Sequence, residues 1–264
     1  MTSIMKFLQI SDVHLVPGGG DLHGLNPYER LTACIADVNA HHADADCVVF
    51  TGDLAHTGHP GAYERLIALL DILKLPYHLM IGNHDNRENF KAAFPSRPQD
   101  PNGFIQFGFD TPAGRFICLD SNEPGVPYGS FCEKRAAWLA QELDHAGSGP
   151  VYLFVHHHPF PVGLKRMDVN RLRDGERLGD VLKGRTNIRH LFMGHLHRPI
   201  SGTWMGIPYS VLPATNHQVA LDFVIEGVVP GSHEPPAYAV IFLEADRSVV
   251  HLHNFLDRTN TFRL

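Results

Sequence analysis

The stretch Leu79-Met80-Ile81-Gly82-Asn83-His84-Asp85 carries the pattern from which the fold of this chain can be predicted. A short apolar run stops at a glycine, and an amide, an imidazole and a carboxylate follow. This is typical of a buried strand that delivers polar side chains to one edge of a sheet. Four other apolar runs end in the same way, at Ser11-Asp12-Val13-His14, Thr51-Gly52-Asp53, His156 and Gly194-His195-Leu196-His197. Sites in open α/β sheets assemble at the carboxyl ends of strands, so we expect these five ends to converge on one metal centre.

The first third of the chain alternates strands with helices. Strands are predicted at 6–11, 47–51 and 77–81. One helix is predicted from Asn26-Pro27, an N-cap followed by proline in the first turn, to about His42. A second helix is predicted after the turn at Gly58–Gly61. This βαβαβ order predicts a parallel sheet with helices packed against it.

The rest of the chain is richer in strands. A hairpin is predicted from 104–109 and 115–120, a helix at 133–145, and strands at 151–155 and 189–193 on either side of a long connection. Further strands are predicted at 203–206, 208–212, 219–225, 237–244 and 248–255. Because no repeat or linker divides the sequence, we expect residues 1–264 to form a single domain, with a strand-rich C-terminal part at about 203–264.

Composition narrows the function classes. The chain has 264 residues, 19 histidines and a formal net charge of −6, which gives no sign of a nucleic-acid or anionic membrane surface. The four cysteines form no CxxC pair, so we expect buried free thiols and a reducing compartment. The apolar start is too short for a signal peptide, and no run reaches the length of a membrane span. We therefore expect a cytoplasmic protein without nucleic-acid or membrane partners.

Seven side chains at the strand ends are candidate metal ligands, because borderline divalent ions bind imidazole nitrogen and carboxylate oxygen. They are Asp12, His14, Asp53, Asn83, His156, His195 and His197. Seven exceed what one ion needs, so we predict two ions that share a carboxylate; Mn, Fe, Zn and Co all fit. Such a centre is suited to phosphoester hydrolysis by a metal-bound hydroxide. We assign catalytic roles to Asn83 and to His84, which can protonate the leaving oxygen or stabilise the transition state.

The order DxH…GD…GNHD…H…GHxH resembles the calcineurin-like metallophosphoesterase family, and within it the bacterial class III cyclic nucleotide phosphodiesterase and glycerophosphodiesterase group. The resemblance runs from Phe7 to about Gln218 and includes the segments His156–Gly163 and Pro213–Gln218. It implies a four-layer α/β/β/α sandwich of two mixed sheets flanked by helices. Two departures are His158, where the group has proline, and the absence of GDxxDRG at Gly52–Gly58, a pattern of the serine/threonine protein phosphatases.

The resemblance also implies how the ligands are divided. Asp12, His14, Asp53 and His197 would surround one ion, and Asp53, Asn83, His156 and His195 the other. Asp53 would bridge the two ions, and His84 would face the scissile phosphate. Without the GDxxDRG aspartate, either His56 or Asp85 is a candidate partner for His84.

We expect the substrate to be a small phosphodiester. A site that binds a phosphomonoester dianion usually carries fixed positive charge beyond that of the metals. The motif-linked positions here hold His and Asn rather than Arg, which favours the diester. Cyclic nucleotides and glycerophosphodiesters both remain open. The alternatives are a phosphomonoesterase or nuclease of the same fold and, from another class, a non-catalytic scaffold.

Several residues outside these motifs are weaker candidates for the site. His157 and His217 are candidate substrate contacts, with structural histidines as the equal alternative, and His23 could reach the mouth of the site. Asn122 and Glu123 are predicted to lie in a surface loop, with pocket lining as the alternative. Arg166, Arg171 and Arg173 are predicted to form a solvated basic loop, with contacts to a second phosphate or a sugar edge as the alternative. The C-terminal strands offer an edge for a homo-oligomer.

Overall fold

Two β-sheets pack face to face in the computed structural model, which describes residues 4–257 and residue 262. In chain order the strands are β1 (Met5–Ile10), β2 (Cys47–Thr51), β3 (Tyr77–Met80), β4 (Phe107–Thr111), β5 (Gly114–Leu119), β6 (Val151–Val155), β7 (Ile188–Met193), β8 (Ile200–Trp204), β9 (Ile207–Val211), β10 (Gln218–Val219), β11 (Gly231–Ser232), β12 (Tyr238–Leu243) and β13 (Ser248–His253). The helices are α1 (Pro27–His41), α2 (Pro60–Leu70), α3 (Arg87–Ala93), α4 (Glu133–Ala146), α5 (Lys165–Asp168) and α6 (Gly175–Leu182).

Both main sheets are mixed. The five-stranded sheet has the order β13-β12-β1-β2-β3, in which β1, β2 and β3 are parallel and β12 and β13 are antiparallel to their neighbours. The six-stranded sheet has the order β4-β5-β6-β7-β9-β8, with β5, β6, β7 and β9 parallel. The carboxyl ends of the parallel strands in each sheet therefore lie along a single edge.

Three apolar clusters separate four layers. One lies between the five-stranded sheet and α1 and α2, and another between the six-stranded sheet and α4 and α6. The third lies between the sheets, where the Phe7 ring meets Phe116 at 5.0 Å and Phe192 at 5.4 Å between ring centroids. The predicted α/β/β/α sandwich is confirmed. Among the described residues, no helix has both the length and the apolar character needed to cross a bilayer.

Local sequence explains the helix that follows the first site loop. The Asn26 side chain accepts hydrogen bonds from the main-chain nitrogens of Tyr28 at 3.1 Å and Glu29 at 3.2 Å, which satisfies two donors of the first turn. Pro27 occupies that turn without a lost hydrogen bond. The apolar stripe of α1 is buried, so the predicted helix is confirmed.

The predicted strand at 219–225 is wrong. Only Gln218–Val219 pairs, with Gly231–Ser232, and the chain between them forms a loop. The Asp222 carboxylate accepts hydrogen bonds from the main-chain nitrogens of Val224 and Ile225, both at 2.7 Å, and so turns the chain away from an extended course.

The first strand of the predicted hairpin is displaced. It begins at Phe107 rather than 104, because the Asp100 carboxylate holds the preceding segment in a turn by accepting from the main-chain nitrogens of Asn102 at 2.9 Å and Phe104 at 2.8 Å. The long connection after β6 contains the short helices α5 and α6.

Candidate metal centre

The loops that carry the predicted ligands have an unusual backbone. Asp12, His14, Asp53, His195 and His197 all adopt left-handed conformations, with φ between 47° and 69°. Residues other than glycine rarely do so, and the cost of such strain is of the order of 1–3 kcal/mol per residue. Conformations of this kind cluster at functional sites, where the surrounding structure maintains them.

Glycines let these loops approach one another closely. A Cβ atom on Gly52, whose φ is 101°, would lie 2.5 Å from Nδ1 of His156. A Cβ on Gly82 would lie 2.6 Å from Nε2 of the same histidine, and one on Gly194 would overlap Oγ of Ser11. The glycine of each GD, GN and GH motif therefore fills a position where the next loop leaves no room for a side chain.

Four predicted ligands form one buried cluster. One ligand atom from each of Asp12, His14, Asp53 and His197 lies within 4.8 Å of those of the other three. Nε2 of His197 lies 3.0 Å from Nε2 of His14 and 3.3 Å from Oδ1 of Asp12. These four residues are the first of the two sets that the family resemblance implies.

The remaining predicted ligands lie beside the first cluster. Nε2 of His156 is 3.4 Å from Oδ2 of Asp53 and 3.3 Å from Oδ1 of Asn83. The same Asp53 oxygen lies 3.6 Å from Nε2 of His14, so it stands between the two groups. A ring nitrogen of His195 lies within 4.8 Å of one of His156.

Main-chain carbonyls fix two of the imidazoles. Nδ1 of His156 donates to the Thr51 carbonyl oxygen at 2.8 Å, and Nδ1 of His197 donates to the His217 carbonyl oxygen at 2.8 Å. Because a carbonyl can only accept, these bonds place the hydrogen on Nδ1, and in the neutral ring Nε2 keeps its lone pair. Metal-binding histidines in proteins are usually oriented in this manner.

Burial and neighbouring charges shift the pKa values of several residues in the cluster. Burial disfavours the Asp53 carboxylate, but His156, His84 and His14 together hold its pKa well below the usual value. Burial alone would lower the pKa of His156, and Asp53 reverses this and raises it to about 9. Burial keeps the pKa of His14 and of His195 well below 6.5, so both rings are neutral and able to donate a lone pair.

This donor set fits a pair of divalent ions of borderline hardness, since imidazoles, carboxylates and an amide oxygen converge at the strand ends. Nε2 of His195 is buried and has no hydrogen-bond partner among the described residues, which is costly unless a further group satisfies the ring. Cys34, Cys47 and Cys118 are buried within the apolar clusters, and no thiolate takes part.

His84 lies beside the Asp53 carboxylate. Its main-chain nitrogen donates to Oδ1 of Asp53 at 2.9 Å, and its Nδ1 donates to the main-chain oxygen of His56 at 2.7 Å. The partner of His84 is thus the backbone of His56 rather than either side chain proposed from the sequence. The Asp85 carboxylate instead accepts from the main-chain nitrogens of Leu54 at 3.0 Å and Ala55 at 2.9 Å.

A cleft of about 720 Å³ opens above the cluster. Its walls include nine candidates from the sequence: the predicted ligands His14, Asp53, Asn83, His195 and His197, and also His84, His217, His56 and His23. Gln218 also lines the cleft and ends the segment Pro213–Gln218, which the family resemblance places near the substrate pocket. The sequence did not identify the remaining wall residues, which are Pro127, Met167, Asn170, Val219, Val229, Gly231, Ser232 and His233. They come mainly from loops without a motif, so only the tertiary structure reveals them. Among the described residues that line the cleft, none is Lys or Arg.

Other sequence candidates lie elsewhere. His157 does not line the cleft; it is fully buried, its Nδ1 lies 2.7 Å from Oγ of Ser121, and one of its ring nitrogens lies within 4.8 Å of ring nitrogens of His156 and His195. Arg173 is exposed and stacks on the Tyr128 ring, with its guanidinium carbon 3.3 Å from the ring centroid. Asn122 was predicted to lie in a surface loop, and this is wrong, because it is 1% exposed behind the Asn83 turn.

Known proteins share this architecture. Over 255 residues, 96% of this chain and 93% of the relative, the sequence is 45% identical to a "probable cyclic nucleotide phosphodiesterase" of Rhodopseudomonas palustris. It is 32% identical to a "probable glycerophosphodiester phosphodiesterase" of Arcobacter nitrofigilis, covering 88% of this chain and 86% of the relative. The crystal structure of a dimetal phosphatase from Danio rerio superposes with a TM-score of 0.73 at 18% identity, over 95% of this chain and 96% of that one, which shows the shared fold.

A family model agrees with these pairwise similarities. The model described as calcineurin-like phosphoesterase matches residues 5–199, a range that contains all seven candidate ligands. Together with the 45% identical relative, this match establishes the family. The chain belongs to the calcineurin-like phosphoesterase family.

Proposed function

We propose that this protein hydrolyses a small phosphodiester at a two-metal centre. The observation that carries the proposal is the position of Oδ2 of Asp53, 3.6 Å from Nε2 of His14 and 3.4 Å from Nε2 of His156. One carboxylate oxygen between two groups of imidazoles is the arrangement that a bridging ligand requires. The family match and the dimetal neighbour of the same fold support two ions.

In this proposal four residues would hold each ion. Asp12, His14, Asp53 and His197 would hold one, and Asp53, Asn83, His156 and His195 would hold the other. Mn, Fe, Zn and Co all suit the nitrogen and oxygen donors. Once bound, such ions would supply positive charge to the phosphoryl oxygens and acidify the attacking water.

The chain's own residues complete the chemistry. Because Nδ1 of His84 is committed to the His56 carbonyl, its Nε2 is the ring atom available to the cleft, and it protonates the leaving oxygen. Asn83 turns its Oδ1 towards His156, so its amide nitrogen remains to donate a hydrogen bond to a phosphoryl oxygen.

The walls of the cleft favour a diester. A monoester dianion would be poorly balanced where, among the described lining residues, no Lys or Arg is present. A diester carries a single negative charge, which the ions largely offset. A nuclease needs a basic groove with aromatic side chains on which bases stack. The formal net charge of −6 does not support a nuclease function.

Within the diesters we favour a cyclic nucleotide. The lining of the cleft includes the apolar side chains of Pro127, Met167, Val219 and Val229, which suit the flat face of a base better than glycerol hydroxyls. The 45% identical relative bears the name of a cyclic nucleotide phosphodiesterase, which supports this choice. A glycerophosphodiester is the second candidate, supported by the name of the 32% identical relative.

The test is a substrate panel with the purified protein and Mn²⁺. It compares 3′,5′-cyclic AMP, 2′,3′-cyclic AMP, glycerophosphocholine and p-nitrophenyl phosphate before and after chelation. We expect turnover of diesters, highest for a cyclic nucleotide, which disappears on chelation and returns with Mn²⁺. Preference for the monoester would overturn the diester assignment, and turnover that survives complete removal of metal would overturn the two-metal centre.

A further inference from the structure

The turn Gly82–Asp85 must cross from one sheet to the other. It follows β3 of the five-stranded sheet, whereas His156 follows β6 of the six-stranded sheet. Asn83 and His156 nevertheless come within 3.3 Å of each other. The distance between Asn83 and His156 therefore depends on the contacts that hold the Gly82–Asp85 turn against the six-stranded sheet.

Asn122, which follows β5 of the six-stranded sheet, makes that connection. Its side-chain nitrogen donates to the main-chain oxygen of Gly82 at 2.6 Å and to that of Asp85 at 3.1 Å. These two carbonyls stand immediately before and after the pair Asn83-His84. A single amide group thus clamps both ends of the segment that carries a proposed ligand and the proposed acid.

A buried charged network holds Asn122 itself. Its main-chain oxygen accepts from Nη2 of Arg135 at 2.6 Å and from Nη2 of Arg87 at 2.8 Å. Its main-chain nitrogen donates to Oδ1 of Asp120 at 2.9 Å, and Arg87 binds the same carboxylate through two nitrogens at 2.8 and 2.9 Å. Arg135 is 2% exposed and Asp120 is fully buried, so the groups that bind Asn122 are held within the protein interior.

The opposite side of the turn is held independently. The Asp85 carboxylate accepts from the main-chain nitrogens of Leu54, Ala55 and Gly82 and from the Tyr63 hydroxyl, which ties the turn to the loop after β2. That loop carries Asp53. The Asp85 contacts therefore set the turn relative to the first ligand set, and the Asn122 contacts set it relative to the second.

We propose that Asn122 is a positioning residue that sets the second metal site and the direction of His84 by fixing the Gly82 and Asp85 carbonyls. The inference rests on the proposed two-metal function. Asparagine suits the position because its amide offers two donors to two acceptors. Aspartate has the same shape but would turn carboxylate oxygens towards the carbonyls.

The experiment measures metal binding rather than turnover. Mn²⁺ is titrated by calorimetry into wild type, Asn122→Ala and Asn122→Asp after metal removal, and the coupled Mn²⁺ pair is followed by electron paramagnetic resonance. We expect both variants to bind the second equivalent about 10- to 100-fold more weakly, as loss of an outer hydrogen-bond partner typically does, while the first equivalent is little changed. The coupled signal should give way to that of a single ion.

The chain offers a matched control. The Asn187 side-chain nitrogen also bridges two main-chain oxygens, those of Gly147 at 3.1 Å and Gly149 at 2.7 Å, in a loop at the opposite ends of the strands. Asn187→Ala removes the same kind of clamp and should lower thermal stability without changing either metal affinity. Unchanged second-site affinity in both Asn122 variants, or equal weakening of both sites, would overturn the proposal.

A misfolded variant and a wild type that binds no pair of ions have distinct consequences. If Asn122→Ala does not fold, Asn122→Ser keeps one donor and should weaken the second equivalent to a smaller degree; unchanged affinity in this variant counts against the proposal. If the wild type itself binds no pair of ions, the proposed function fails, and that result is separate from any difference among the variants.

Discussion

Oδ2 of Asp53 lies 3.4 Å from Nε2 of His156, although the two residues follow strands of different sheets. Gln9 of β1 fixes the same junction, because its side-chain nitrogen donates both to Oγ1 of Thr51 and to the main-chain oxygen of Met193 of β7, each at 3.1 Å. The two-sheet sandwich therefore brings the strand ends into register across the interface. The backbone is left-handed at five of the proposed ligand positions, which is a source of strain.

Replacement of the shared carboxylate should remove both ions together. In Asp53→Asn the side chain keeps its size but loses the charge that binds the two groups, so we expect metal content to fall from two equivalents towards none and turnover to be lost. Metal content after dialysis, measured by mass spectrometry, tests this. Asp12→Asn is the comparison, since Asp12 contacts His197 and should affect the first ion more than the second. Loss of a single ion in Asp53→Asn would contradict the bridging role.

Removal of His84 should separate chemistry from metal binding. His84→Ala leaves the two ligand sets intact, and we expect turnover of a cyclic nucleotide to fall by about 10²- to 10⁴-fold, the usual contribution of a general acid. The loss should be smaller for bis-p-nitrophenyl phosphate, whose leaving group needs no proton. An equal loss for both substrates would indicate transition-state stabilisation rather than protonation, and loss of metal would make His84 a ligand.

Local chemistry explains why the sequence alone predicts most of the metal centre. Each candidate ligand follows an apolar run directly, so strand, edge and side chain can be inferred within a few residues, as in Leu79–Asp85. Asn122 follows a strand in the same way, but its burial depends on Arg87 and Arg135 from distant helices. The loop after Val219 looks like a strand in its hydrophobicity, and only the Asp222 turn reveals otherwise.

A methyl group at Gly82 should disturb the centre more than the fold. Its Cβ would overlap Oδ1 of Asp53 and lie 2.6 Å from Nε2 of His156, so it would displace two proposed ligands. We expect Gly82→Ala to lose metal affinity and to be destabilised by about 1–3 kcal/mol, the usual cost of overpacking. Chemical denaturation together with Mn²⁺ titration measures both effects. Gly20→Ala is the control, because nothing lies within 4 Å of a Cβ there; wild-type metal affinity in Gly82→Ala would contradict the close approach.

Acid should destabilise the six-stranded sheet through a histidine remote from the metal centre. His190 on β7 is 6% exposed, stacks on Phe192 and places Nε2 3.0 Å from Oγ of Ser210. Burial lowers its pKa from 6.5 to about 4, so the folded state keeps the ring neutral while the unfolded chain takes up a proton below 6.5. The stability linked to this ring is therefore fully present above pH 6.5 and is lost as the pH falls towards 4. Between pH 7 and pH 5 the linkage amounts to about 2 kcal/mol. Urea denaturation of wild type and His190→Gln at both pH values should show a smaller decrease for the variant, and equal decreases would show that His190 does not carry the effect.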